Sequence, residues 1–270
     1  MMKKILVVLF VFVSLFAVSQ AYGWNSAGHA TIAHIADQNL TPKARRMCNR
    51  YLGHSLAYYA SWMDNWRYSE EYHHTARWHA VGVKDGEFVP GELVGDISVF
   101  RAPLTPDEHG VARLAQIKER LKEYRNMSDS AVAINLKCII HMVGDMHCPG
   151  HVFYDGQPQF EFKENGNKIR FHGYNDLTFG RFHKGKTAEQ FRDVYCRLTK
   201  QEIAKLCEGD MDSWVRNNEP IFRECYTLLS PTVDYKDLPE QNKFRMKEIS
   251  DRLMRDAGYR LAHFINNIFK

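Results

Sequence analysis

The chain has 270 residues, 44% of them hydrophobic, and carries 36 Lys and Arg against 32 Asp and Glu, a formal charge of +4. That length is enough for a single domain with a large core. The charge excess is too weak for non-specific grip on a polyanion, which needs many phosphate contacts, so any phosphate chemistry belongs to a local site.

Lys3 and Lys4 precede an almost wholly apolar run from Ile5 to Val18, and Ala21 and Gly23 then form a small-x-small pattern. These are the zones of a secretory signal, so residues 1–23 are expected to be removed, leaving a mature domain over 24–270 that is secreted or periplasmic. The run is shorter than the about 20 residues a membrane span needs, and no later segment is apolar enough to supply one. Six cysteines in an exported chain permit up to three disulfides. None forms a CxxC pair, which argues against a thiolate metal site. Cys138, inside an apolar helical pattern, reads as a buried small hydrophobe.

Helical periodicity dominates the rest. Ile32, Ile35 and Ala36 give a helix over Ala27–Asn39, and Thr41-Pro42 supplies a cap and a first-turn proline for a second helix through Tyr51. Thr105-Pro106 opens a third, with Leu114, Ile117 and Leu121 along one face. Residues 128–147 are apolar almost all round, which marks a central buried helix broken by Pro149-Gly150. Further helices are expected over Thr187–Leu206, Met211–Leu229 and Lys243–Phe269. Only Glu87–Val89 and Phe160–Phe171 alternate like strands, the second turning at Glu164-Asn165-Gly166. The expected fold is a mainly α, multi-helix single domain with a small β-hairpin.

On the buried helix His141 and Asp145 are four apart and share a face. Two ionisable groups on an apolar helix need compensation, either from a metal cation or from each other in a structural hydrogen bond. His151 follows the helix break, and His172 and Asp176 repeat the four-residue spacing. Upstream lie His29, Asp64 with Arg67, and His79, all in apolar contexts. Each alone is a weak signal, whereas so many His and Asp among hydrophobic residues exceed what packing requires.

The segments WNSAGH, SWMDNWR, RWHAV, HMVGDMHCPGH, DSWVRNNEPIFRECY and DAGYRLAHFIN, in this order, resemble the S1/P1 type of zinc-dependent nucleases and 3′-nucleotidases, relatives of the trinuclear-zinc phospholipases C. The most specific is HMVGDMHCPGH, similar to the family's His-x-x-Gly-Asp-x-x-x-Pro-x-His. The resemblance implies three zinc ions as cofactors. Asp64, His79 and His141 would hold one, and Asp145 would bridge it to a second held by His29 and by the α-amine and carbonyl of Trp24. His151, His172 and Asp176 would hold the third. It further implies that a zinc-bound hydroxide attacks phosphorus, with Asp64, Arg67 and Asp145 as catalytic residues and single-stranded RNA, DNA or 3′-nucleotides as substrates. Arg67 would grip a phosphate oxygen; without the resemblance, a surface or ion-pair role fits it as well.

Two features depart from the family pattern. Ala80 and Gly82 stand where an aromatic residue usually forms part of a base-stacking platform, and Asn175 stands where Trp is usual before Asp176. A phospholipase C-like phosphodiesterase and a non-catalytic zinc-binding relative therefore stay open as alternatives. His147, two residues from Asp145, is expected behind the ligands or exposed, and His34 packed or partly exposed. His54, His73, His74, His109, His183 and His263 are expected mostly at the surface. Trp62, Trp66, Trp78 and Trp214 are expected in the core, and Tyr58, Tyr154 and Tyr174 are possible cleft residues. No protein partner is expected, and the chain is expected to be a monomer.

Overall fold

The computed structural model describes residues 24–95, 104–157 and 159–270, so the leader expected over residues 1–23 lies outside the described chain. Helix α1 (Ser26–Gln38) opens on Asn25, whose Oδ1 accepts from the Gly28 amide at 3.0 Å. Helix α2 (Pro42–Leu52) has the expected Thr41 cap and first-turn proline. A short α3 (Trp62–Trp66) carries Asp64, and a 3₁₀ segment, His73–His79, leads into strand β1 (Val81–Lys84) and strand β2 (Glu87–Val89).

Helix α4 (Gly110–Arg120) starts later than Thr105-Pro106 suggests, because the Thr105 hydroxyl hydrogen-bonds Asp107 and closes a turn there. His109 caps the helix instead. Helix α5 (Asp129–Asp145) begins at a Ser128 cap and ends where Cys148 leads into the 3₁₀ turn Pro149–His151. Strand β3 (Val152–Tyr154) follows, then the hairpin of β4 (Glu161–Glu164) and β5 (Asn167–Arg170). Asn165 and Gly166, both at positive φ, form its two-residue turn.

The second half is helical: α6 (Phe171–Asp176), α7 (Thr178–Phe182), α8 (Ala188–Tyr195), α9 (Lys200–Leu206), α10 (Met211–Leu228) and α11 (Glu240–Ile268). The single helix expected over Thr187–Leu206 is two. Thr199 starts α9 with a reciprocal capping box to Glu202, which favours a fresh helix start over continuation.

The expected hairpin is present, but it is not the whole sheet content. Strand β1 pairs antiparallel with β2 through an Asp85-Gly86 turn and parallel with β3, giving the order β2-β1-β3. With these small sheets beside its many helices, the protein is mainly α.

Helix α5 is the axle of the core. It packs against α1, α2, α3, α4 and α11, and Leu136, Ile139, Ile140, Met142 and Val143 are wholly buried. Truncating Leu136 or Ile139 to Ala would cost about 2–5 kcal/mol. Among the described residues no helix is long and apolar enough to cross a membrane. All six cysteines are free thiols and five are buried, so the disulfides that the even count permits are not formed. Cys48, Cys138 and Cys225 pack in the main apolar cluster as small hydrophobes.

Candidate metal centre

Six elements deliver the His and Asp side chains to one place, α3 among them with Asp64. Helix α5 presents His141 and Asp145 from its last turns, and α1, lying across it, presents His29. The two helices approach closely at Gly144, where an added Cβ would meet His29 Nδ1 at 2.9 Å. The parallel pairing of Val81 with Val152 sets His79 beside His151, each just ahead of its strand, and His151 Nδ1 donates to the His79 carbonyl at 2.5 Å. Helix α6 stacks His172 over Asp176 at i, i+4. A Cβ on Gly150 would meet the His172 backbone at 3.0 Å, so a side chain there would need α6 to give by a few tenths of an ångström.

The contacts form three neighbouring sets. In the first, His79 Nδ1 is 2.9 Å from Asp145 Oδ2 and 3.1 Å from His141 Nε2, which is itself 3.2 Å from that oxygen. Asp64 Oδ1 lies 3.7 and 3.6 Å from the same two nitrogens. A tetrahedral ion with bonds of about 2.0–2.1 Å sets its ligand atoms about 3.3 Å apart, close to these separations. The other Asp145 oxygen, Oδ1, is 3.3 Å from His29 Nε2, so one carboxylate faces two sets. In the third set His151 Nε2 is 2.9 Å from His172 Nε2 and 3.4 Å from Asp176 Oδ1, while His172 Nε2 is 3.3 Å from Asp176 Oδ2.

Hydrogen bonding within the protein leaves this cluster incomplete. Both ring nitrogens of His29, His79 Nε2, Asp64 Oδ1, Asp145 Oδ1 and Asp176 Oδ2 are buried without a hydrogen-bond partner. Such atoms are costly to bury unless something else satisfies them, and an all-N/O array of imidazoles and carboxylates fits divalent zinc. His141 and His151 give their Nδ1 protons to the carbonyls of Ala60 and His79, which leaves each Nε2 aimed inward as a metal ligand would be.

The electrostatics match. Burial pushes His79 down to about 4 and Asp176 up to about 7. Burial also opposes charge on His141 and His151. The Asp145 carboxylate, helped by Asp64 at the first and Asp176 at the second, outweighs it and raises both to about 9. In return these imidazoles hold Asp145 well below the usual carboxylate range despite its burial. A cation held here would take over the role of those protons.

Arg67 lies beside the first set, 6% exposed, with Nη1 3.3 Å from Asp64 Oδ1 and its guanidinium over the Tyr68 ring. The ion-pair reading is therefore met at the edge of the cluster, and the side chain is buried rather than at the surface. Trp24 is buried, its indole N–H donates to the Gly144 carbonyl at 3.0 Å, and the next amide, of Asn25, donates to the Asp176 carbonyl. The chain at Trp24 is thus tied both to the turn carrying Asp145 and to α6.

Several surrounding residues differ from expectation. His109 and His183 are buried: the first caps α4, and the second is hydrogen-bonded to Asp251. His147 is wholly buried, accepting from Arg260, which removes the exposed one of its two readings. Trp66 is exposed rather than core, whereas Tyr154 and Tyr174 are buried under Arg223 and Arg181 and cannot line an open cleft. Tyr58 is exposed and stacks on His54. Sequence spacing gave no role to Cys148, which joins His151 and Asp176 in a buried group of donors.

Fold and cluster together define a mainly α-helical protein with a buried His/Asp centre suited to metal ions. The family model of S1/P1 Nuclease matches residues 24–270, and the chain belongs to that family of metal-dependent phosphodiester hydrolases. It is 23% identical over 274 residues to Nuclease S1 of Aspergillus oryzae (strain ATCC 42149 / RIB 40), covering 92% of each chain. It is 27% identical over 197 residues to Nuclease P1 of Penicillium citrinum and to Nuclease PA3 of Penicillium sp, an overlap of 72% of this chain and 64% of theirs.

Proposed function

We propose that the mature domain, residues 24–270, is an exported zinc-dependent phosphodiesterase that cleaves single-stranded RNA and DNA and removes phosphate from 3′-nucleotides, working as a monomer. The observation that carries this reading is the Asp145 carboxylate, one oxygen among Asp64, His79 and His141 and the other toward His29. A carboxylate so placed suits a bridge between two ions. Asp64, His79 and His141 would hold one zinc, His29 and the α-amine and carbonyl of Trp24 a second, and His151, His172 and Asp176 a third. Zinc held there would lower the pKa of a bound water to roughly 7 and polarise a phosphoryl oxygen.

The chain's own residues account for the rest. Arg67, steadied by Asp64 and the face of Tyr68, would hold a non-bridging phosphate oxygen through its planar fork of donors. The Ala60 and His79 carbonyls fix the tautomers of His141 and His151. Ala80 offers no ring, so the exposed Tyr68 and Trp66 are the aromatic surfaces nearest Arg67 in the chain for an unpaired base. The names of the curated relatives, Nuclease S1 and Nuclease P1, support nucleic acid as the substrate. Hydrolysis of single-stranded RNA, single-stranded DNA and 3′-AMP, each abolished by EDTA and restored by zinc, is expected. Turnover of a phosphatidylcholine analogue without any of these would assign the centre to lipid substrates instead.

A further inference from the structure

Cys148 fills a free position of the His-x-x-Gly-Asp-x-x-x-Pro-x-His segment, and its placement is not that of a packing residue alone. Its Sγ is wholly buried and lies 3.6 Å from Asp176 Oδ1, the oxygen that His151 Nε2 approaches at 3.4 Å. Sulfur, imidazole nitrogen and carboxylate oxygen all lie within 4.8 Å of one another, and the second oxygen of Asp176 is buried without a hydrogen-bond partner. Among the described residues, Cys148 is the one cysteine in such a group.

The separations can be compared with those around an ion. With bonds of about 2.3 Å to sulfur and 2.0–2.1 Å to nitrogen and oxygen, a tetrahedron sets sulfur about 3.5 Å from oxygen and nitrogen about 3.3 Å from oxygen. The observed 3.6 and 3.4 Å agree with both edges. The geometry points to Cys148 as a fourth protein ligand of the third site, joining His151, His172 and Asp176. This inference rests on the reading that the cluster holds zinc. On binding, the S–H bond ionises, a sulfur–metal bond forms, and the proton passes to solvent. Without metal, the thiol donates to Asp176.

A Cys/His/His/Asp set has chemical consequences. The site gains a soft, charged donor, which favours zinc and cadmium over magnesium or manganese. With four protein ligands it has no vacant tetrahedral position, so it would take a phosphate oxygen only by expanding to five-coordinate.

Cobalt substitution tests this directly. In metal-depleted mature protein reloaded with Co²⁺, visible d–d bands report occupancy, and an intense near-ultraviolet thiolate-to-cobalt charge-transfer band reports sulfur ligation. Both are expected, and Cys148→Ser should lose the charge-transfer band while keeping the other cobalt ions. Filled cobalt sites with no charge-transfer band, or a band that persists in Cys148→Ser, would overturn the sulfur ligand and leave the zinc reading intact. Protein that takes up neither cobalt nor zinc would overturn both. If the variant does not fold, Cys148→Ala takes its place, and absence of the band from the wild-type spectrum overturns the sulfur ligand without either.

Discussion

The proposed chemistry turns most on Asp145. It is wholly buried, its two oxygens face different partners, and the imidazoles around it keep it ionised. Asp145→Asn retains the size and removes the charge. It should lower kcat by at least about 100-fold and reduce bound zinc, as judged by turnover and metal analysis. His54→Ala should leave both unchanged, because His54 is exposed and stacks on the exposed Tyr58. Equal loss in the two variants would show that the Asp145 result reflects general damage. Arg67→Ala should lower kcat/KM by about 10²–10³ without releasing metal, the effect of removing one donor to a developing anion. At this scale the site was largely legible, since His141–Asp145 and His172–Asp176 each advertise a shared helix face. Cys148 was not, because its approach to Asp176 depends on how α6 packs against the Pro149–His151 turn, which no local spacing encodes.

Elements decide which residues meet. The parallel β1–β3 pairing sets His79 against His151, yet β1 is too short to alternate visibly and β3 is buried throughout, so neither reads as a strand. The Asp85-Gly86 turn was the available signal. Likewise, Thr199 with Glu202 announced a new helix inside a stretch that otherwise reads as one. Helix α4 supplies a test of pH dependence. His109 Nδ1 accepts from the Ala112 amide at 3.3 Å, and burial pushes its pKa from 6.5 down to about 4. The unfolded chain therefore takes up this proton at higher pH than the folded one. The resulting stability is complete above about pH 6.5 and is lost as pH falls toward 4. His109→Asn keeps a capping oxygen but cannot titrate, so its Tm should fall less between pH 7 and 5 than that of the parent. Parallel Tm curves would remove His109 as the source. Gly144→Ala should separate α1 from α5 and weaken metal binding, measured by zinc content, because the new methyl would press on His29.

For the whole molecule, the mainly α fold followed from periodicity and caps, and the resemblance of the His/Asp segments to one family anticipated their convergence. What joins the ends is tertiary. Trp24 is held against Gly144 and its neighbour against Asp176, so the first residue of the expected mature chain stands at the centre rather than at a frayed edge. If its α-amine is a ligand, a chain retaining residues before Trp24 should bind about one zinc fewer than the mature chain, since an amide nitrogen is a poor ligand beside a free amine. The most direct test of the central claim is zinc content and single-stranded RNA hydrolysis measured on the same mature protein, before and after EDTA. The account predicts close to three zinc ions per chain, with hydrolysis that disappears with the metal and returns with it. Full hydrolysis by metal-free protein would contradict it.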